Sequence, residues 1–92
     1  MRETFENRFR HLSAIMLRAL ERRRDRAFAR AAGLNPQDLG RPLTGNELIE
    51  RSRWEEMHRY YAGAYDNVHG AMVFVHYAWC RLREIRDDAK RR

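Results

Sequence analysis

The sequence predicts an all-α protein, a helical hairpin or a three-helix bundle, assembled as a homodimer. Three observations predict it. Apolar residues recur at helical spacing over two long stretches, and a seven-residue repeat runs through the second of them. Four of the seven glycines and prolines, Gly33, Pro36, Gly40 and Pro42, gather in one short connector between the two. At 92 residues the chain has the size of one domain, and so short a chain buries only roughly 60–65% of its unfolded surface.

The first helix is expected over residues 3–32. Phe5, Phe9, Leu12, Met16 and Ala19 fall at 4-3-4-3 spacing and define its apolar stripe, which Ile15 and Leu20 widen. Gly33 is the residue type that closes a helix. The connector, 33–43, should hold one short turn, because Asn35 can cap it and Pro36 suits the first helical position. Thr44-Gly45-Asn46-Glu47 has capping-box spacing, so a second long helix is expected over 44–90. Within it Trp54, Tyr61, Val68, Val75, Leu82 and Ala89 repeat every seven residues. Met57, Ala64, Ala71, Ala78 and Ile85 form a parallel series offset by three. Gly63 and Gly70 mark the region, 63–70, where this helix would break if the molecule were a three-helix bundle.

An unbroken second helix would reach about 69 Å at 1.5 Å per residue, against about 45 Å for the first. The excess length, with the apolar run Ala71-Met72-Val73-Phe74-Val75 and Tyr77-Ala78-Trp79, asks for cover by a second copy. The expected interface comprises Tyr61, Ala64, Val68, Ala71, Met72, Val75, Ala78, Trp79 and Leu82.

The net charge of +6 is unevenly placed: residues 1–33 carry nine Arg against four acids, 34–80 four against six, and 81–92 six basic residues against three acids. Arg18, Arg22, Arg26 and Arg30 stand four apart and form a ridge, which costs about 0.2–0.5 kcal/mol per like-charge pair unless an anion relieves it. Two sources of anions are open. Ion pairs from Arg23 and Arg26 to Glu47, Glu50, Glu55 and Glu56 would close the connector end of a hairpin. Alternatively, the ridge, together with Arg81, Arg83, Lys90, Arg91 and Arg92, would engage an external acidic partner.

Two short segments resemble known motifs. Arg26-Ala27-Phe28-Ala29-Arg30-Ala31-Ala32-Gly33-Leu34, followed by Pro36-Gln37-Asp38-Leu39, resembles the core of a helix-turn-helix. The resemblance implies a second helix docked in a DNA major groove, although Gly40 and Pro42 leave that helix a single turn. Arg53-Trp54-Glu55-Glu56-Met57-His58 resembles the Arg and His motif of the HEPN helical ribonucleases, and so implies Arg53 and His58 beside a phosphate. Asp66, His69, His76 and Cys80 share a helix face, but only in pairs that each amount to half a metal site, so neither a metal nor another cofactor is expected. Tyr77 and Trp79 near Arg81 and Arg83 are the rings best placed to stack on bases.

No segment is long and apolar enough for a membrane span. The single cysteine, Cys80, forbids an intrachain disulfide, and the opening residues lack the apolar core of a secretory signal. Those features predict a cytoplasmic protein. Eighteen of the nineteen basic residues are Arg, a coding bias expected of a high-GC bacterial or phage genome. The function expected is binding without catalysis, by a small regulator or stoichiometric inhibitor that engages nucleic acid or an acidic face of a nucleoprotein complex. Alternatives are a protein–protein interaction module working through the apolar face of the second helix, and a small HEPN-like ribonuclease.

Overall fold

The computed structural model describes residues 4–91, and the described residues form three helices and no strand. Glu3, where the first helix was expected to start, and Arg92 lie outside them. α1, Phe5–Gly33, is capped by Thr4, whose Oγ1 accepts from the Asn7 amide at 3.2 Å. Gly33 does not act as a left-handed cap. It is the last helical residue, and Leu34 closes the helix by donating its amide to the Ala31 carbonyl at 3.2 Å. α2, Pro36–Leu39, is a single turn in which Asn35 Oδ1 accepts from the Gln37 amide at 3.0 Å. Gly40, at φ 68°, stops it in the left-handed conformation that glycine adopts without a Cβ penalty.

α3, Gly45–Arg91, is one helix of 47 residues and runs unbroken through Gly63 and Gly70. Its start is the capping box read from the sequence: the Glu47 amide donates to Thr44 Oγ1 at 3.2 Å, and the Thr44 amide donates to Glu47 Oε1 at 2.9 Å. Arg41 adds a two-pronged ion pair to the same carboxylate, at 2.7 and 3.0 Å, and so ties the connector to the helix start.

α1 and α3 pack together, antiparallel. Phe5 meets Trp79, Glu6 meets His76, Arg23 lies over Tyr61, Phe28 meets His58 at a tilt, and Arg30 lies over Trp54. The molecule is a rod of 75 × 24 × 17 Å whose radius of gyration is 21.2 Å. A compact chain of this length would have about 12 Å.

The seam falls on a different face of α1 from the one its apolar stripe marks. Buried or half-buried residues of α1 are Glu6, Phe9, Ser13, Ala14, Leu17, Leu20, Arg24, Ala27 and Ala31, which apart from Ala14 follow a 3-4 series of their own. Phe5, Leu12, Ile15 and Met16 from the expected stripe stay exposed, at 66, 63, 52 and 51%. On α3 the seam follows Trp54, Tyr61, Val68 and Val75, as one series of the heptad requires. The companion series is Arg51, His58, Tyr65, Met72 and Trp79, not the alanine series. The cause is angular. Each helix carries apolar residues over more of its circumference than one neighbour can cover, and the contact that forms leaves Phe5, Leu12, Ile15 and Met16 of α1 outside.

The overhang is also shorter than the sequence suggests. Met72, Val75, Ala78 and Trp79 are half-buried beside the start of α1, and only residues 81–91 project beyond it, exposed throughout.

A Cβ at Gly63 or Gly70 would meet nothing within 4 Å, and both sit at ordinary helical φ. Gly63→Ala should therefore raise stability by about 0.5–1 kcal/mol, whereas Gly40→Ala, forced to keep a positive φ, should lower it by about 1 kcal/mol. Thermal melts followed by circular dichroism check both.

Candidate anion-binding surface

α1 carries the arginine ridge on the side that the seam leaves open, because the seam repeats as Leu20, Arg24, Ala27 and Ala31 while the ridge steps through the intervening positions. Arg18, Arg22, Arg26 and Arg30 are all exposed. Arg30 lies over the Trp54 ring at 5.5 Å and is partly engaged. Among the described residues, Arg18, Arg22 and Arg26 have no acidic partner.

The internal ion pairs expected at the connector end do not form. Glu47 is held by Arg41 and Thr44, Glu50 accepts from the Trp54 indole at 3.5 Å, and Glu55 lies 3.7 Å from Arg51. Arg23 is over Tyr61 at 5.9 Å instead of beside a carboxylate. Arg24 sits over Tyr65 at 5.1 Å and reaches Asp25 at 3.2 Å. Glu47, Glu50 and Glu55 are thus held on their own helix or by the connector, Glu56 has no ion-pair partner among the described residues, and the ridge keeps its charge.

At the other end of the rod the basic residues divide. Arg83 is committed to Glu6 at 2.8 Å, and Arg81 pairs with Glu84 at 3.1 Å. Lys90 and Arg91 are exposed near the end of α3, and Arg92 lies outside the described residues. Glu6 is the centre of this end. Its carboxylate, 5% exposed, takes Arg10 at 2.7 Å, His76 Nδ1 at 3.2 Å and Arg83 at 2.8 Å. Burial alone would push its pKa up. The His76 hydrogen bond and the charges of Arg83 and Arg10 outweigh burial and hold the carboxyl below its ordinary value. Glu6 was not singled out in the sequence, although Glu6, Ser13, Leu20 and Ala27 form a seven-residue series that matches the α3 heptad.

Neither motif resemblance finds its geometry. α2 has four residues, so no helix of recognition length follows the turn. Arg53 and His58, five positions apart, point about 140° away from each other around the helix. The His58 ring lies tilted against Phe28 at 5.6 Å, and Arg53 lines a separate groove with Asn46, Ile49 and Trp54. His76 Nε2 and Cys80 Sγ are 3.8 Å apart, and no group of three metal-binding side chains occurs among the described residues. Tyr77 is 63% exposed, but Trp79 is half-buried against Phe5, which leaves one exposed ring of the pair.

Of the expected interface residues, Tyr61, Val68, Met72, Val75 and Trp79 are half-buried in step with the seam to α1. Ala64 and Ala78 are half-buried beside it, and Ala71 and Leu82 are exposed. No described helix is long and apolar enough to cross a membrane. Comparison with protein-family models, curated proteins and solved structures finds no match.

The bonds from Arg41 and Thr44 lower the Glu47 carboxyl from 4.5 to about 2. A carboxylate depressed in the folded state stabilises the fold above its unfolded pKa and loses that contribution as pH falls through the folded one. Melting temperature should therefore drop between pH 4.5 and about 2, with Glu47 and Glu6 both contributing. In Glu47→Gln the drop should be smaller, a difference read by melts across that pH series.

Proposed function

We propose that the chain is a small, non-enzymatic α-helical binding protein that acts as a homodimeric regulator or stoichiometric inhibitor, engaging nucleic acid or an acidic face of a nucleoprotein complex. The observation that carries the reading is the Arg18, Arg22 and Arg26 ridge, exposed and without an internal anion. Like charges four apart on a helix destabilise it unless an outside charge compensates, and regularly spaced guanidinium groups suit a phosphate backbone. Phosphate contacts position a protein without reading bases, so the expected binding is indifferent to sequence and steep in salt.

A second reading, a module that docks another protein's helix, draws on the outer side of α3, where Phe74 is 70% exposed. Salt dependence separates the two, since an apolar interface responds weakly to salt.

Fluorescence anisotropy on labelled DNA and RNA across a salt series tests the main reading. Arg22→Ala with Arg26→Ala should weaken binding equally for unrelated sequences and flatten the salt slope by about two units. His58→Ala should leave binding unchanged, and the RNA should remain uncut. No binding by the folded protein at low salt would overturn the reading.

A further inference from the structure

The packing of α1 on α3 leaves far more surface than a folded chain of this mass carries. The accessible area is 7841 Å², where about 5,700 Å² is expected of a globular protein of this size. The excess, about 2,000 Å², compares with the roughly 800 Å² that each partner contributes to a stable interface. Ala27 is the only fully buried apolar residue among those described.

Many of the uncovered apolar side chains share one side of the pair, although Val73 and Tyr77, 53 and 63% exposed, lie on another. On α1 the exposed stripe runs from Phe5 to Ala19 about a quarter turn from the seam. On α3 Met57, Ala71 and Ile85 lie roughly a quarter turn from the seam in the same rotational sense, and Phe74 lies farther round in that sense. Because the helices are antiparallel, equal rotation in that sense turns both stripes to one side of the pair, which therefore has a single broad apolar face. The stripes also share a centre. Leu12, midway between Phe5 and Ala19, lies within about two residues of the level of Ala71, judged from the Phe5–Trp79, Arg23–Tyr61 and Phe28–His58 contacts. Ala71 is itself the midpoint of the series Met57, Ala64, Ala71, Ala78, Ile85.

We propose that this face packs on the same face of a second copy, antiparallel, about a two-fold axis that passes Leu12 and Ala71. α3 then lies on α3 and α1 on α1 in a four-helix assembly. The inference rests on the homodimer of the functional reading and adds its geometry. An isologous contact requires a surface that matches itself after a half turn. This one does: Met57 faces Ile85, Ala64 faces Ala78, and bulky ends flank a slim centre that lets the backbones approach. Charge agrees as well. Arg53 and Asp88, both exposed and without an ion-pair partner among the described residues, come level with each other across the axis. A parallel arrangement would instead stack the two arginine ridges at one end.

The antiparallel arrangement unites the two basic regions. In one chain Arg26 and Lys90 are about 45 Å apart along the rod. In the dimer the last turns of α3 from one copy lie beside the ridge of the other, and α1 of that copy ends short of Arg22 and Arg26. Each end of the assembly thus presents one composite basic surface.

Light scattering on a sizing column should give about twice 11.1 kDa, and a monomer mass at high micromolar concentration would overturn the proposal. Spin labels on Ser52→Cys in a Cys80→Ser background, far from the apolar face, should lie about 60 Å apart or slightly more. A distance near 30 Å would show a parallel dimer and overturn the two-fold geometry while leaving the anion-binding reading intact. Asp88→Arg alone should weaken dimerisation about two- to fivefold, and combining it with Arg53→Asp should restore it. No recovery in the double variant, with the single variant weakened, would mean that the two residues do not face each other.

Discussion

Two helices side by side can hide only a strip of each other, and in this chain the most deeply buried positions of that strip are small or polar. Glu6, Ser13 and Ala27 are the buried residues of the pair. Small residues bring the α1 and α3 backbones close and set the register, but they remove little apolar area from water, and area is what stabilises a helix pair. The rest of the architecture follows from that narrow seam. Phe5, Leu12 and Met16 of α1 stay uncovered within the pair, and the register is held by contacts other than a core.

Those contacts are polar and aromatic, and they are distributed along the rod. At one end Glu6 gathers Arg10, His76 and Arg83, which fixes the start of α1 against α3. At the other end Arg41 and Thr44 converge on Glu47 and lock the connector to the start of α3. Between them Arg23, Arg24 and Arg30 lay guanidinium planes over Tyr61, Tyr65 and Trp54. Arginine serves here because its planar, weakly hydrated head can stack on a ring while its stem covers apolar surface. Part of the basic character of α1 is therefore structural. The part that is not structural, Arg18, Arg22 and Arg26, stands out because its neighbours are so fully employed.

Much of the helical content was legible in the sequence. Thr44 and Glu47 form a capping box, Asn35 and Pro36 start a turn, and an unbroken heptad ran through Gly63 and Gly70. Local hydrogen bonding decides such features, and local sequence encodes them. Which face of α1 meets α3 was not legible, because periodicity locates an apolar stripe but not the neighbour that covers it. Phe5, Leu12 and Met16 make the stronger stripe, and Glu6, Ser13 and Ala27 make the seam. The pairing of Glu6 with Arg83 was equally hidden, since it joins residues 77 positions apart. The arginine ridge was visible, but whether α3 would neutralise it depended on where Glu50 and Glu55 find their partners.

The mismatch between stripe and seam also bears on function. In a chain that worked alone, selection for stability would place the bulky residues of α1 toward α3 and leave serine and alanine outside. Here Phe9, Leu17 and Leu20 do face α3, but Phe5, Leu12, Ile15 and Met16 stay outside while Ser13 and Ala27 lie inside, an arrangement that would suit a second contact made by the outer residues. The same outward face of α1 changes character along its length, since Phe5, Leu12 and Ala19 are followed in the same heptad position by Arg26. Apolar contact thus gives way to positive charge at the point where a second copy, centred on Leu12, would no longer cover the helix. On the proposed reading one face would supply both assembly and anion binding, with the boundary between the two roles set by how far the covering helix reaches.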